Sequence, residues 1–386
     1  MSPTSSFDAL TVGAGLVGAS FALASRQAGL DVALVEGGVP RVPSTDWDSR
    51  IYALSPSSVE FLKSLGVWQT LDPSRVQAVE RMEIHGDRAD ARLDFSAYES
   101  GVEALAYIVE SGRLQFALWQ ALEQSGVQML SPMRCVRLDS ANTLTLEDGH
   151  CLRGELLVGA DGANSWLRQA AGIETRTQPY QQRAVVANFR CEKAHAGTAF
   201  QWFGADGVLA LLPLPGQQVS MVWSTQESHA DALLSMDATT LCASVERASS
   251  GRVGALEPLT PAQSFSLQML QAKKIVVPGI ALIGDAAHVV HPLAGQGVNL
   301  GFGDAEKLAH ILRNCEPGRS CGDYGLLRRY ERSRAEPVWA MREVTDGLSR
   351  FFSMQGDFPM LLRNTGLNLS NRLPVLKTWL VRHALG

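Results

Sequence analysis

The chain has 386 residues, 46% of them hydrophobic and 19% charged, and a formal net charge of -5. This composition supports a sizeable core and excludes a disordered chain; the acidic balance excludes a typical nucleic-acid binder. Apolar runs stay below the ~18 residues that span a bilayer. No basic, then apolar leader precedes the first strand, and six scattered cysteines lack CxxC or metal spacing, so a cytoplasmic protein without a metal centre is expected.

Residues 7–12 form a short apolar run, predicted as a strand. Gly13-Ala14-Gly15-Leu16-Val17-Gly18 follows and opens a small-residue helix through about Ala28. Residues 30–35 give a second strand closing at Glu36, so the chain opens as a βαβ unit. Residues 37–50 are rich in Pro, Ser and Asp and read as a loop; 56–65 and 113–124 have helical spacing. Residues 126–158 alternate as a meander, and 156–159 lead into Asp161-Gly162. From about 178 to 266 the pattern becomes sheet-like, with strands at 185–190, 198–203, 207–214 and 218–224 and helical stretches around 230–248. After Ile275 the α/β pattern returns, a helix begins near Val298, and a helical tail starts near Arg334.

Three motifs carry the chemistry. Gly13, Gly15 and Gly18 complete GxGxxG between a strand and a helix, the arrangement that admits a pyrophosphate at a helix N-terminus. Glu36 falls about 20 residues on, where an acid meets ribose hydroxyls. The turn alone does not separate NAD from FAD. A second strand ends in Asp161-Gly162, followed by Arg168. A third ends in Gly284-Asp285 and runs through a loop into Gly297-Val298-Asn299. Asp285 suits ribitol hydroxyls, and the helix N-terminus suits a ring that gains negative charge on reduction. The loop from Pro292 through Gln296 leads into that helix, and Gly295 and Gly297 allow close approach of backbone to the ring. There is no second GxGxxG, so no separate Rossmann domain for NAD(P)H is expected.

Together, Gly13–Gly18, Val158–Ser165, the 284–303 stretch and the C-terminal 361–386 resemble the flavoprotein aromatic hydroxylases of the p-hydroxybenzoate hydroxylase type. The stretch His291-Pro292-Leu293-Ala294-Gly295-Gln296-Gly297-Val298-Asn299-Leu300 is close to the signature of their ubiquinone-biosynthesis subfamily, and the likeness spans essentially the whole chain. The resemblance implies an α/β fold in which a Rossmann-like FAD-binding domain (1–75, 105–175, 275–335) is interrupted by a sheet-rich substrate domain (76–104, 176–274), with a helical region at 336–386. It implies FAD as cofactor, NAD(P)H as co-substrate, and transfer of oxygen from a flavin C4a-hydroperoxide to the ring of a polyprenylated phenol. The alternatives are a hydroxylase of another aromatic substrate or a non-catalytic flavoprotein scaffold.

Carried over residue by residue, the resemblance puts Glu36 on the adenosine ribose, Asp285 on the ribitol and Arg50 against the cofactor. Pro292 and Gly295–Asn299 then line the isoalloxazine, and Asp161 serves both FAD and NAD(P)H. One departure stands out. Where many relatives place Arg or Asn toward the phosphates, this chain has Ser111-Gly112-Arg113, and the sequence leaves open whether Arg113 swings in to compensate for Ser111. His288 and His291 read as loop-ordering groups rather than acid–base catalysts. Trp202, Phe203, Leu212, Met221 and Trp223 are candidate pocket residues.

Residues 362–386 hold Arg363, Arg372, Lys377 and Arg382 and no acid, with Leu367, Leu369, Leu373, Leu376, Trp379 and Leu380 around Pro374. A basic amphipathic segment of this kind rests on anionic lipid or packs on the body. Expected partners are thus a lipophilic phenol, O2, a membrane surface or biosynthetic assembly, and a second copy of the chain.

Overall fold

A computed structural model describes residues 5–86, 92–139, 142–204, 206–290 and 297–353, with side chains through 343. Five parallel strands form the heart of an eight-stranded sheet, in the order Ile280–Leu282, Cys151–Gly159, Ser5–Val12, Val32–Val35 and Gln128–Leu130. Val32–Val35 is wholly buried, as a parallel strand covered on both faces must be.

The helices in chain order are α1 (Leu16–Gln27), α2 (Pro56–Ser64), α3 (Ala97–Ser100), α4 (Ser111–Ser125), α5 (Trp166–Ala170), α6 (Glu227–Ser235), α7 (Ala238–Ala248), α8 (Gly297–Arg313) and α9 (Tyr324–Ser353). Phe21, Leu62, Leu118, Phe302 and Tyr330, from α1, α2, α4, α8 and α9, share one core over one face of the parallel sheet. Leu10, Val35, Leu157 and Leu167 form the core on the other face.

A nine-stranded sheet stands beside it, antiparallel except where Thr198–Gly204 runs along Arg81–His85. Its alternation sorts side chains strictly. Val185, Phe189, Leu211, Met221 and Trp223 pack with Leu233, Leu241 and Val245 of α6 and α7. The opposite face brings Met82, Phe95, Ala199 and Leu212 against Trp47, Ile51, Leu105 and Ile108. A small sheet of Ile51–Leu54, Ala106–Glu110 and Gln77–Val79 lies along this contact.

Three expectations change. The last helix starts at Tyr324 rather than near Arg334: Asp323 accepts the Leu326 N–H at 2.8 Å as a cap, and Leu326, Leu327 and Tyr330 are fully buried. The strand expected at 185–190 runs over Thr175–Cys191, because its polar first half pairs with Gln263–Ala272, a strand whose exposed Phe265 and Ser266 blur the alternation. Of the meander expected over 126–158, Gln128–Leu130 instead pairs parallel with Val32–Val35, and only Cys135–Asp139, Thr143–Leu146 and Cys151–Gly159 run antiparallel; α8 begins at Gly297, one residue before Val298.

Candidate flavin site

The parallel register brings the motifs together. Val12 pairs with both Val35 and Gly159, and Gly159 pairs with Leu282. The strands therefore end level, and Gly13, Glu36, Asp161 and Asp285 all lie at one carboxyl edge, where open α/β sheets bind ligands.

At the glycine turn each residue has a distinct reason. Gly13 has φ +100°, and a Cβ there would lie 2.6 Å from the Ala160 carbonyl oxygen. A Cβ at Gly18 would lie 2.0 Å from the Gly13 oxygen. Gly15 is different: it is exposed, caps α1 without a side chain, and has nothing within 4 Å of its Cβ position. The space in front of it is open, and the N–H groups of Leu16 and Val17 start the helix beside it. Glu36 folds onto the turn, accepting the Ala14 N–H at 2.7 Å and the Gly38 N–H at 2.9 Å. Gln115, which sequence reasoning did not single out, donates to the Ala14 carbonyl at 2.5 Å.

Val17 joins this turn to the third motif. The Cβ positions of Gly284 and Gly301 lie 3.2 and 2.5 Å from its methyls, so α1, the Gly284 turn and α8 meet with only glycines between. Asp285 sits in a 3₁₀ turn, Gly284–Ala286, with its side chain open to solvent yet ringed by protein. Desolvation raises its carboxyl above the usual range, while His288 and Arg50 draw it back. Asp161 accepts the Leu167 N–H at 3.1 Å through one oxygen; its other oxygen is buried without a partner. Buried Arg168 links the two loops, donating to Ala163 at 2.7 Å and to Ala286 at 2.9 Å. His288 is buried and 2.7 Å from Asp304, the geometry of an ordering group. His291, Pro292, Gly295 and Gln296 lie outside the described residues.

Arg50 is exposed at the rim, its guanidinium 5.4 Å from the Tyr52 ring centre and 5.9 Å from that of Phe265. Tyr52, unmarked in the sequence, reports how closely these groups gather. Burial raises its hydroxyl pKa, Asp285 and Asp48 add to that, and Arg50 and a hydrogen bond with Ser111 oppose it. Ser111 heads α4 and donates its N–H to the Arg50 carbonyl at 2.9 Å. Arg113 does not swing toward the cleft. Its guanidinium is spent on Glu110 and the Ser44 carbonyl, both at 2.7 Å. The Asn299 amide is also spent: it accepts from the Ser55 N–H at 2.9 Å and the Ser58 hydroxyl at 2.8 Å and donates to Ala53 at 2.9 Å. That side chain seats α8 on the Ile51–Leu54 strand and α2.

The pocket candidates divide by face. Met221 and Trp223 pack in the core beneath α6 and α7, and Trp202, stacked on His85 and Phe200, borders the same core on the face opposite Leu212, which corrects the sequence expectation for these three. Leu212 lies on the opposite face with Ile51 and Trp47, and Phe203 shares its strand's parity with Ala199 on that face. A groove of about 600 Å³ lined by Arg26, Gln120 and Gln124 lies at the far end of α1 and contains none of the site residues. Among the described residues there is no metal-ligating cluster.

An open helix N-terminus, an acid at the end of the second strand, a second acid facing a cleft and an orphaned buried carboxylate oxygen fit a dinucleotide carrying a polyhydroxyl chain. The site and the two-sheet fold suit a flavoprotein. A family model described as an FAD binding domain matches residues 6–345, and the chain belongs to that family. It is 37% identical to the 3-demethoxyubiquinol 3-hydroxylase of Escherichia coli (strain K12), covering 97% of each chain. It is 34% identical to the mitochondrial ubiquinone biosynthesis monooxygenase COQ6 of Homo sapiens, over 98% of this chain and 92% of that one. Among solved structures, p-nitrophenol 4-monooxygenase PnpA of Pseudomonas putida superposes with a TM-score of 0.80 at 16% identity, covering 99% of each chain. PqsL of P. aeruginosa gives 0.78 at 22%, over 94% of this chain and 99% of that one. Within the family, the chain groups with the ubiquinone hydroxylases.

Proposed function

We propose that this protein is an FAD-dependent monooxygenase that hydroxylates the aromatic ring of a polyprenylated phenol or quinol in ubiquinone biosynthesis, with NAD(P)H as electron donor. The observation that carries this reading is near full-length likeness to ubiquinone hydroxylases, joined to a carboxyl-edge site whose residues fit FAD. Bound FAD, once reduced, supplies the activation of O2 for oxygen insertion.

The chain's own residues bind and orient. Gly15 with the N–H groups of Leu16 and Val17 would take the pyrophosphate, with Gly13 and Gly18 shaping the turn beneath it, and Glu36 would take the adenosine ribose. Gly284 and Asp285 would present a carboxylate to the ribityl hydroxyls. Arg50, with Tyr52 and Ser111, would lie along the cofactor, and Asp161 would face it from the neighbouring strand. Pro292, Gly295, Gln296, Gly297, Val298 and Asn299 would meet the ring, Asn299 by its backbone because its amide is engaged elsewhere. Arg113 then contributes by ordering the 44–50 loop rather than by touching phosphate.

In the same reading the FAD-binding domain comprises 1–75, 105–175 and 275–335, and the substrate domain 76–104 and 176–274. The inner sheet face, with Leu212 and Phe203, lines the substrate side. No helix among the described residues is long and apolar enough to cross a membrane. The basic, apolar segment 362–386 supports peripheral contact of a cytoplasmic protein with the membrane that holds a polyprenyl substrate; that segment lies outside the described residues.

The test is NAD(P)H oxidation by the purified holoenzyme with and without a polyprenylated phenol, with products followed by mass spectrometry. Faster oxidation with gain of one oxygen atom is expected. Oxidation that yields only hydrogen peroxide across such substrates would sink the ring-hydroxylase reading in favour of another aromatic substrate or a scaffold.

A further inference from the structure

Behind Asp285 lies a second acid, Asp304, which the sequence analysis did not single out. Asp304 lies on α8 and is fully buried. A buried carboxylate is costly unless partners surround it, and here they come from three directions. One oxygen accepts the Gly284 N–H at 2.9 Å and faces His288 Nε2 at 2.7 Å; the other accepts Arg334 Nε at 2.6 Å. Arg334 belongs to α9 and also donates to the Leu300 carbonyl at 3.1 Å. Earlier on the same helix, the Tyr330 hydroxyl donates to the Leu282 carbonyl at 3.0 Å, where the strand ends before Gly284. On the other side of Asp285, Arg168 holds the Ala286 carbonyl.

Both neighbours of Asp285 are thus gripped by buried charged side chains, while its own carboxylate faces the cleft. Gly284 is fixed at φ +59°, a conformation that aims the next residue and that a side chain would resist. Satisfying the fold alone does not require this: an apolar contact between α8 and the turn would avoid burying an acid, an arginine and a histidine together.

We propose that Asp304 is a positioning residue for the flavin dinucleotide, fixing the Gly284–Asp285 turn through the Gly284 N–H and His288, and that Arg334 extends this control to α9. This rests on the reading of Asp285 as the partner of the ribityl hydroxyls.

The test is FAD titration of apoprotein for wild type, Asp304→Asn, Asp285→Asn and the double variant, with the apoprotein melting temperature recorded for each. Each single change is expected to weaken FAD binding about tenfold or more. The double variant should bind no more weakly than Asp285→Asn, since Asp304 acts through Asp285. A purely structural Asp304 gives additive losses instead, and additivity overturns the proposal. So does a folded Asp304→Asn apoprotein with wild-type affinity beside a weakened Asp285→Asn. If Asp285→Asn itself binds FAD as wild type does, the ribityl reading fails and this proposal with it. Should Asp304→Asn not fold, Arg334→Gln takes its place in the same cycle, with the same outcomes deciding.

Discussion

Gly15 and Gly18 share one turn of backbone, yet a methyl group at each meets opposite surroundings. At Gly18 it would strike the Gly13 carbonyl oxygen at 2.0 Å; at Gly15 it would meet nothing within 4 Å. The first glycine answers to the fold and the second to what the fold receives. Gly18→Ala should therefore destabilise the apoprotein by about 3 kcal/mol. Gly15→Ala should leave apoprotein stability within about 0.5 kcal/mol while weakening FAD binding at least tenfold, because the methyl stands where a pyrophosphate must approach. Thermal melts of the apoproteins with FAD titrations check both, and full flavin occupancy in Gly15→Ala would contradict the placement. At this scale the sequence was informative wherever a residue type has a single use. GxGxxG and Gly284-Asp285 are such cases. Asp304, Arg334 and Arg168 are not, because an acid or arginine in a helix is ordinarily solvated and only its neighbours in space show it to be withdrawn from solvent and paired.

Among the elements, strand periodicity decided more than composition did. Trp202, Met221 and Trp223 are large and apolar, as pocket walls are, but they fall on the alternation that faces α6 and α7. Leu212 falls on the other. Sequence fixes which residues share a face and leaves open which face meets the cofactor domain, since both are covered. Met221→Ala should cost about 2–5 kcal/mol of stability by leaving a cavity, with KM for the phenol unchanged. Leu212→Ala should raise KM. Denaturation curves and steady-state kinetics on the two variants separate these effects; a KM increase for Met221→Ala equal to that of Leu212→Ala would reverse the assignment of faces. The α9 boundary has a similar cause: Leu326, Leu327 and Tyr330 are few among many arginines, and only their burial marks the start of the helix.

Across the whole molecule, two motifs far apart in the chain become one site because parallel strands end at the same edge and because Val17 packs directly on Gly284 and Gly301. The C-terminal helix is tied into this arrangement: Tyr330 donates to Leu282 at the end of the strand before Gly284, Arg334 donates to Asp304 of α8, and Arg342 donates to Gln271 of the second sheet at 2.8 Å. The proposed seat of residues 362–386 on an anionic bilayer predicts that full-length protein co-sediments with anionic liposomes and is released by salt, as screening requires. A chain lacking 354–386 should stay in the supernatant; unchanged sedimentation would remove the membrane from the functional reading.

By itself the sequence determined the cofactor class and marked the candidate anchors, because close backbone approach, left-handed turns and strand-end acids each demand particular residues at particular spacing. The tertiary structure decided what depends on neighbours distant in the chain. It turned Arg113 toward Glu110, spent the Asn299 amide on Ser55 and Ala53, aimed Met221 away from the cleft, and set Asp304 behind Asp285. Those outcomes follow from competition for hydrogen bonds and buried volume, which a linear order of residues does not contain.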